Sequence, residues 1–174
     1  EIHNMFLPDD QKKEYEYIFK KNQMPEEPTI YIHSGCKLHP KDAPAHGENW
    51  FLYMNAPRNQ QQDWEAIKIS SKQKIIQRLK KVIGRDVSND IVFEKYISPQ
   101  DLEDRDNNIM GSIYGNSSNN VFSAFLRHPN FCPKVRNLFF AGGTVHPGSG
   151  VPLTLLSASI VEKLIKENIV NKGD

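Results

Sequence analysis

A mixed α/β architecture (α+β by arrangement, a mixed β-sheet with flanking helices) follows from three features of the chain. Short β-branched and aromatic runs recur at residues 2–7, 29–33, 50–54 and 91–97. One long stretch, residues 64–83, repeats apolar residues at spacings of three and four. Near the end, a short apolar run, a glycine-rich turn and a second apolar-periodic stretch follow one another over residues 137–165.

Composition bounds what such a fold can do. The 174 residues carry 22 Lys+Arg against 21 Asp+Glu, a formal charge of +1, which excludes a nucleic-acid binder driven by bulk electrostatics. A 38% hydrophobic content with 10% aromatics supplies a core and excludes wholesale disorder. No apolar run is long enough to span a bilayer. Two cysteines, Cys36 and Cys132, cannot form a disulfide scaffold and lack metal-site spacing, so they read as free thiols of a reducing, cytoplasmic compartment and no metal site is expected. The chain opens on Glu1-Ile2-His3 without an initiator Met or a signal-peptide pattern, which reads as a fragment of a longer protein or a processed terminus.

The elements follow in order. After the opening strand, Asp9 or Asp10 caps a helix to about Lys21, with Tyr15, Ile18 and Phe19 as its apolar stripe. Pro25 and Pro28 mark a break before the strand at 29–33. The connection at 34–47, with Gly35, Pro40 and Pro44, is long enough to be an ordered binding loop or a mobile flap. The strand at 50–54 is apolar on both faces and so is expected in a central position. Asp63 caps the long helix, whose stripe is Trp64, Ile67, Ser71, Ile75, Leu79 and Val82, widened by Ile76 and Ile83. Gly84 stops it. Its basic residues Lys72, Lys74, Arg78, Lys80 and Lys81 read as a solvated face, with a peripheral membrane-facing patch as the alternative. A strand at 91–97 and a short helix opening at Ser98-Pro99 come next. The Gly- and Asn-rich stretch 107–120 is either a linker or, given the apolar run at 121–126, an ordered loop beside a site.

The stretch 137–153 carries the chemistry. It reads as a short buried strand, a glycine turn and a helix beginning near Val151 or Pro152, whose apolar face is Leu153, Leu156, Ile160, Val161, Leu164 and Ile165. Glycines between a strand end and a helix start let a ligand approach the backbone, and the helix N-terminus offers amide protons with partial positive charge. Neither the P-loop nor the G-x-G-x-x-G spacing is present. A tight turn that needs glycine only for its dihedrals fits equally well, and His146 either acts at a site or shapes the loop through a hydrogen bond.

This stretch resembles the C-terminal flavin-binding signature of phytoene-desaturase-type carotenoid oxidoreductases. The residues that carry the likeness are Gly142, His146, Pro147, Gly148, Gly150 and Pro152, after Asn137-Leu138. Upstream, in the family's order, stand Asp42-Ala43-Pro44 with Gly47, then Asp63-Trp64, then Ser98-Pro99-Gln100-Asp101. Gly111-Ser112-Ile113-Tyr114-Gly115 and Arg127-His128-Pro129-Asn130 with Pro133 complete the set. The wording of these last two is nearest to the subgroup acting on hydroxylated or partly desaturated carotenoids. Gly143-Thr144-Val145 departs from the Ala-Gly-Thr common in relatives, which leaves the amide that meets the flavin open by one residue.

The resemblance implies FAD as cofactor, held by Gly142, Gly143, Thr144, His146, Pro147, Gly148, Gly150, Val151 and Pro152. It also implies a long polyene as substrate and hydride transfer from carotenoid to flavin. No catalytic acid–base pair is implied. Residues 1–136 would be the later part of a substrate-binding domain and 137–174 a strand–turn–helix of the FAD-binding domain, with the junction near 133–136. The N-terminal Rossmann part would be the missing partner, and the isolated chain would be inactive. Strand residues at 30–32 and 50–54 line an apolar tunnel or are ordinary core. A carotenoid cis–trans isomerase, a retinol-saturase-like enzyme or a non-catalytic lipid- or partner-binding domain remain alternatives.

Overall fold

The computed structural model describes residues 1–115 and 127–170. They form two compact units, Glu1–Asp101 and Leu102–Asp174.

The first unit is built on a three-stranded antiparallel sheet of β1 (His3–Phe6), β2 (Ile30–His33) and β3 (Phe51–Met54), in the order β1-β2-β3. Register pairs Phe6 with Ile30 and Ile30 with Met54. One face carries Phe6, Ile30, Ile32, Leu52 and Met54, which pack with Ile75, Leu79 and Val87 into the core. Burying that face is the main drive for the unit, since each aliphatic side chain removed from water contributes about 2 kcal/mol. The other face holds Tyr31 and Tyr53, whose rings lie 4.6 Å apart, and the exposed Phe51. Thus β2, not β3, is central. The apolar character of β3 on both faces reflects aromatics ranked along an open sheet face, not burial on two sides.

Asp10 caps α1 (Gln11–Tyr15), its carboxylate accepting from the Lys13 amide at 3.1 Å. The expected single helix widens into a π-helical turn over Glu16–Lys21 and ends at Asn22, in the left-handed region. The wider turn changes the periodicity, so only Ile18 of the expected stripe is buried; Tyr15 and Phe19 are exposed and stack on each other at 5.9 Å. The loop at 34–47 is folded into 3-10 turns at Gly35–Lys37 and Pro40–Asp42. Asn49 ties them, accepting from the Cys36 amide at 3.1 Å and donating to the Asp42 carbonyl at 3.1 Å.

Helix α2 (Trp64–Ile83) has the expected ends: Asp63 accepts from the Ala66 amide at 3.0 Å, and Gly84 takes φ +80°. Trp64, Ser71 and Leu79 are buried, while Val82 and Ile83, in the last turn, are exposed. Its basic face is largely engaged within the fold. Lys72 pairs with Glu94 at 2.7 Å, Lys74 donates to the Pro25 carbonyl at 2.7 Å, and Arg78 donates to the Leu7 carbonyl at 2.6 Å. Lys80 lies 3.6 Å from Asp86. Residues 91–97 do not form a strand: Val92 is 96% and Phe93 82% exposed, and no described strand pairs with them.

Helix α3 (Pro99–Asp106) carries the chain into the second unit. Its start is a reciprocal cap, with Asp101 accepting from the Ser98 amide at 2.6 Å and its own amide donating to Ser98 Oγ at 3.1 Å. The apolar run at 121–126 lies outside the described residues. The predicted buried strand at 137–140 is reduced to a single bridge between Phe131 and Phe139, with Leu138 exposed. Helix α4 (Val151–Val170) begins where expected. Its predicted apolar face is partly covered among the described residues: Ile160, Val161 and Leu164 are half-buried, Leu153, Leu156 and Ile165 are exposed, and Ser157 is buried.

Candidate functional site

The turn at 141–150 folds around residues 128–132, which include most of the Arg127-His128-Pro129-Asn130 motif. That segment lies against both arms of the turn. The Phe140 amide donates to the Asn130 carbonyl at 2.8 Å, and the His146 amide donates to the His128 carbonyl at 2.9 Å. Val145 bridges to His128 and is buried. The His128 ring meets Phe140 edge-on at 5.0 Å.

Three glycines take dihedrals that side chains rarely adopt: Gly142 (φ +138°), Gly148 (φ +136°) and Gly150 (φ +101°). Around Gly142 and Gly150 an added Cβ would meet nothing within 4 Å, so the backbone there faces open space. Gly148 is different. It is buried, and a Cβ would come within 3.2 Å of Arg127 Nε. The Arg127 guanidinium also donates to the carbonyls of Gly143 at 3.3 Å and Tyr114 at 3.2 Å, placing a positive charge at the turn. At Gly143 an added Cβ would come within 3.3 Å of Ser149 Cα.

The Gly150 carbonyl accepts from the Thr154 amide at 2.9 Å, closing the first turn of α4 with Gly150 in the capping position. Glycine supplies no capping side chain and Pro152 has no amide proton. The Val151 and Leu153 amides therefore have no intrahelical acceptor and keep the partial positive charge of the helix end. Val151 is exposed.

The predicted site residues thus come together in one turn and helix start, but with distinct roles. The Gly142 amide is committed to Ser157 Oγ at 3.1 Å. His146 shapes the loop through its backbone: its amide holds His128, and its carbonyl accepts from the Asn130 side chain at 2.8 Å. Thr144 is exposed and packs beside Gly115, whose Cβ position lies 3.4 Å from Thr144 Cβ. The His146–Pro147 peptide is cis. Sequence reasoning missed Arg127, Asn130 and Ser157 as parts of the site. For Arg127 and Asn130 the available signal was their place in the Arg127-His128-Pro129-Asn130 motif; Ser157 carried none.

No group of His, Cys, Asp and Glu among the described residues is arranged to hold a metal ion. No described helix is long and apolar enough to cross a membrane. A cavity of about 410 Å³ in the first unit is lined by Pro8, Lys13, Glu14, Tyr17 and Glu26 among others. Its charged lining is mostly acidic, with Asp10, Glu14, Glu26 and Glu27 beside Lys13, which pairs with Glu26 at 2.8 Å, and such walls suit neither a hydrocarbon nor a flavin ring.

No protein-family model matches the chain. It is 42% identical over 165 residues to the 1-hydroxycarotenoid 3,4-desaturase of Flavobacterium sp. (strain P99-3), a match covering 95% of this chain and 34% of that protein. It is 28% identical over 169 residues to the 4,4'-diapolycopene oxygenase of Methylomonas sp, covering 94% and 33%. To the 4,4'-diaponeurosporene oxygenase of Staphylococcus haemolyticus (strain JCSC1435) it is 30% identical over 160 residues, covering 91% and 32%. The chain spans about a third of the length of these curated relatives. Over most of its own length the chain is thus similar to a part of proteins named as a carotenoid desaturase and carotenoid oxygenases.

Proposed function

We propose that the chain is part of an FAD-dependent carotenoid desaturase, and that the turn at 142–150 with Val151 and Pro152 is where it meets the flavin. The observation that carries this reading is the open backbone at Gly142 and Gly150, set at a helix N-terminus. It occurs in a chain 42% identical to a hydroxycarotenoid desaturase. The residues present fit such a group: the backbone can be approached without meeting a Cβ, the free amides of the helix start favour an electron-rich edge, and Arg127 adds positive charge.

When bound, FAD supplies the hydride acceptor for removing hydrogen across a C–C single bond. The chain's own part is binding and orientation. The Val151 and Leu153 amides and the Arg127 guanidinium favour negative charge on a ligand at the turn, and buried Val145 anchors the turn beneath it. In the first unit, the open sheet face of Tyr31, Phe51 and Tyr53 is the surface chemically suited to a polyene, whereas Ile30 and Ile32 are core. On this reading the Rossmann part lies elsewhere in the same polypeptide, and the 174 residues alone do not turn over substrate. The engaged lysines of α2 favour a solvated face over a membrane patch.

The test is expression of the complete reading frame that carries this chain in a host making 1-hydroxylated and non-hydroxylated carotenoids, with chromatographic and mass analysis of products. Desaturation yields a product lacking two hydrogens with one further conjugated double bond. The names of two relatives favour one second reading, oxygenation of a carotenoid, which would add oxygen instead. An isomer of unchanged mass, or a product that has gained hydrogen, would replace the desaturase reading with the isomerase or saturase one.

A further inference from the structure

We propose that Asn130, acting with Ser157, is the positioning residue of the glycine turn and fixes it in the form that receives the flavin. The proposal rests on the flavin reading above.

The Asn130 side-chain amide lies 3.0 Å from the Phe140 carbonyl, 2.8 Å from the His146 carbonyl and 2.9 Å from Ser157 Oγ. Two amide protons thus serve three acceptors, one before the turn, one on its far arm and one on α4. Ser157 Oγ receives the Gly142 amide as well, at 3.1 Å. Asn130 is 4% and Ser157 0% exposed, so water cannot replace these bonds. The first glycine of the turn, both its arms and the following helix therefore meet at one buried amide–hydroxyl pair.

The chemistry of this node is specific to its residues. Aspartate at 130 would set a carboxylate against two carbonyl oxygens. Alanine would leave those carbonyls buried without their donor. Alanine at 157 would strip the acceptor from Gly142, whose φ of +138° no side chain of its own can brace. Neither Asn130 nor Ser157 needs to touch the ligand. They set the direction of the loop's amide and carbonyl dipoles, which determine the potential a bound group feels.

The test uses Asn130→Ala, Asn130→Asp and Ser157→Ala in the polypeptide encoded by the complete reading frame. Three quantities are measured: the FAD dissociation constant, the flavin reduction potential, and amide hydrogen exchange at Gly142 and residues 145–150. Ile32→Val, in the sheet core of the other unit, is the control for general loss of stability. The expected result is FAD affinity weakened about tenfold or more in the Asn130 variants, as loss of a buried hydrogen-bond donor implies. A shifted potential and faster Gly142 exchange accompany it, while Ile32→Val leaves all three unchanged. Wild-type affinity, potential and exchange in Asn130→Ala would overturn the proposal, as would equal effects in the Ile32→Val control. Should the wild-type polypeptide bind no FAD, the flavin reading fails, and exchange alone decides the node: faster exchange at Gly142 supports it and unchanged exchange overturns it.

Discussion

Glu14 is a buried carboxylate whose oxygens accept from the Thr29 amide at 2.8 Å and the Thr29 hydroxyl at 2.7 Å, with Asn55 adding a third donor at 3.3 Å. It ties α1 to the start of β2. Replacing it with alanine orphans these donors and should cost about 2 kcal/mol, whereas glutamine, which keeps an acceptor, should cost about half that. Urea unfolding checks both through a lowered midpoint at unchanged slope. Glu48 is a second instructive residue. The Trp50 indole donates to it at 2.7 Å and holds its carboxyl below the usual carboxylate range. A depressed folded-state value means that the contact contributes above the ordinary carboxylate range and is lost as pH falls through the lowered value. Trp50→Phe should move the Glu48 titration, followed by NMR, back toward its ordinary midpoint. Neither contact was legible in the sequence: the Glu14 contacts join residues 15 and 41 positions apart, and the Glu48–Trp50 contact, though local, depends on side-chain directions that the sequence does not specify.

At the scale of elements, α2 is the part the sequence described best, because its signals are local. Asp63 and Gly84 mark its ends, and the spacing of Trp64, Ser71 and Leu79 marks its buried side. Asp63→Ala should cost about 1 kcal/mol as a lost cap. Leu79→Ala, which empties the centre of the sheet–helix core, should cost about 3 kcal/mol. Thermal unfolding of the two variants should rank them in that order. Strand identity is less local. Residues 91–97 have strand-forming composition yet remain unpaired among the described residues, since a strand exists only with a partner. The place of β3 at the edge was misread because its two-sided apolar pattern does not distinguish a covered face from an open aromatic one. In the glycine turn the sequence located the turn and the helix start, but not that the segment at 128–132 holds them. Those contacts span long sequence separations and run mostly through backbone groups that every residue type possesses.

The whole molecule is two units in a chain that matches about a third of the length of its curated relatives. Helix α4 presents Leu153, Leu155, Leu156 and Ile165 uncovered among the described residues, a cost a stable protein ordinarily offsets by covering such a face. The central claim is that the glycine turn holds FAD, and Gly148 is the position at which it is most sharply exposed to test. A side chain there would meet a φ of +136° and Arg127 Nε within 3.2 Å. The measurement is the flavin content of the purified polypeptide from the complete reading frame, wild type against Gly148→Val, with circular dichroism confirming that both are folded. The account predicts FAD bound to the wild type and lost from the folded variant. A wild-type protein that carries no flavin, or a variant that retains it at wild-type occupancy, would contradict it.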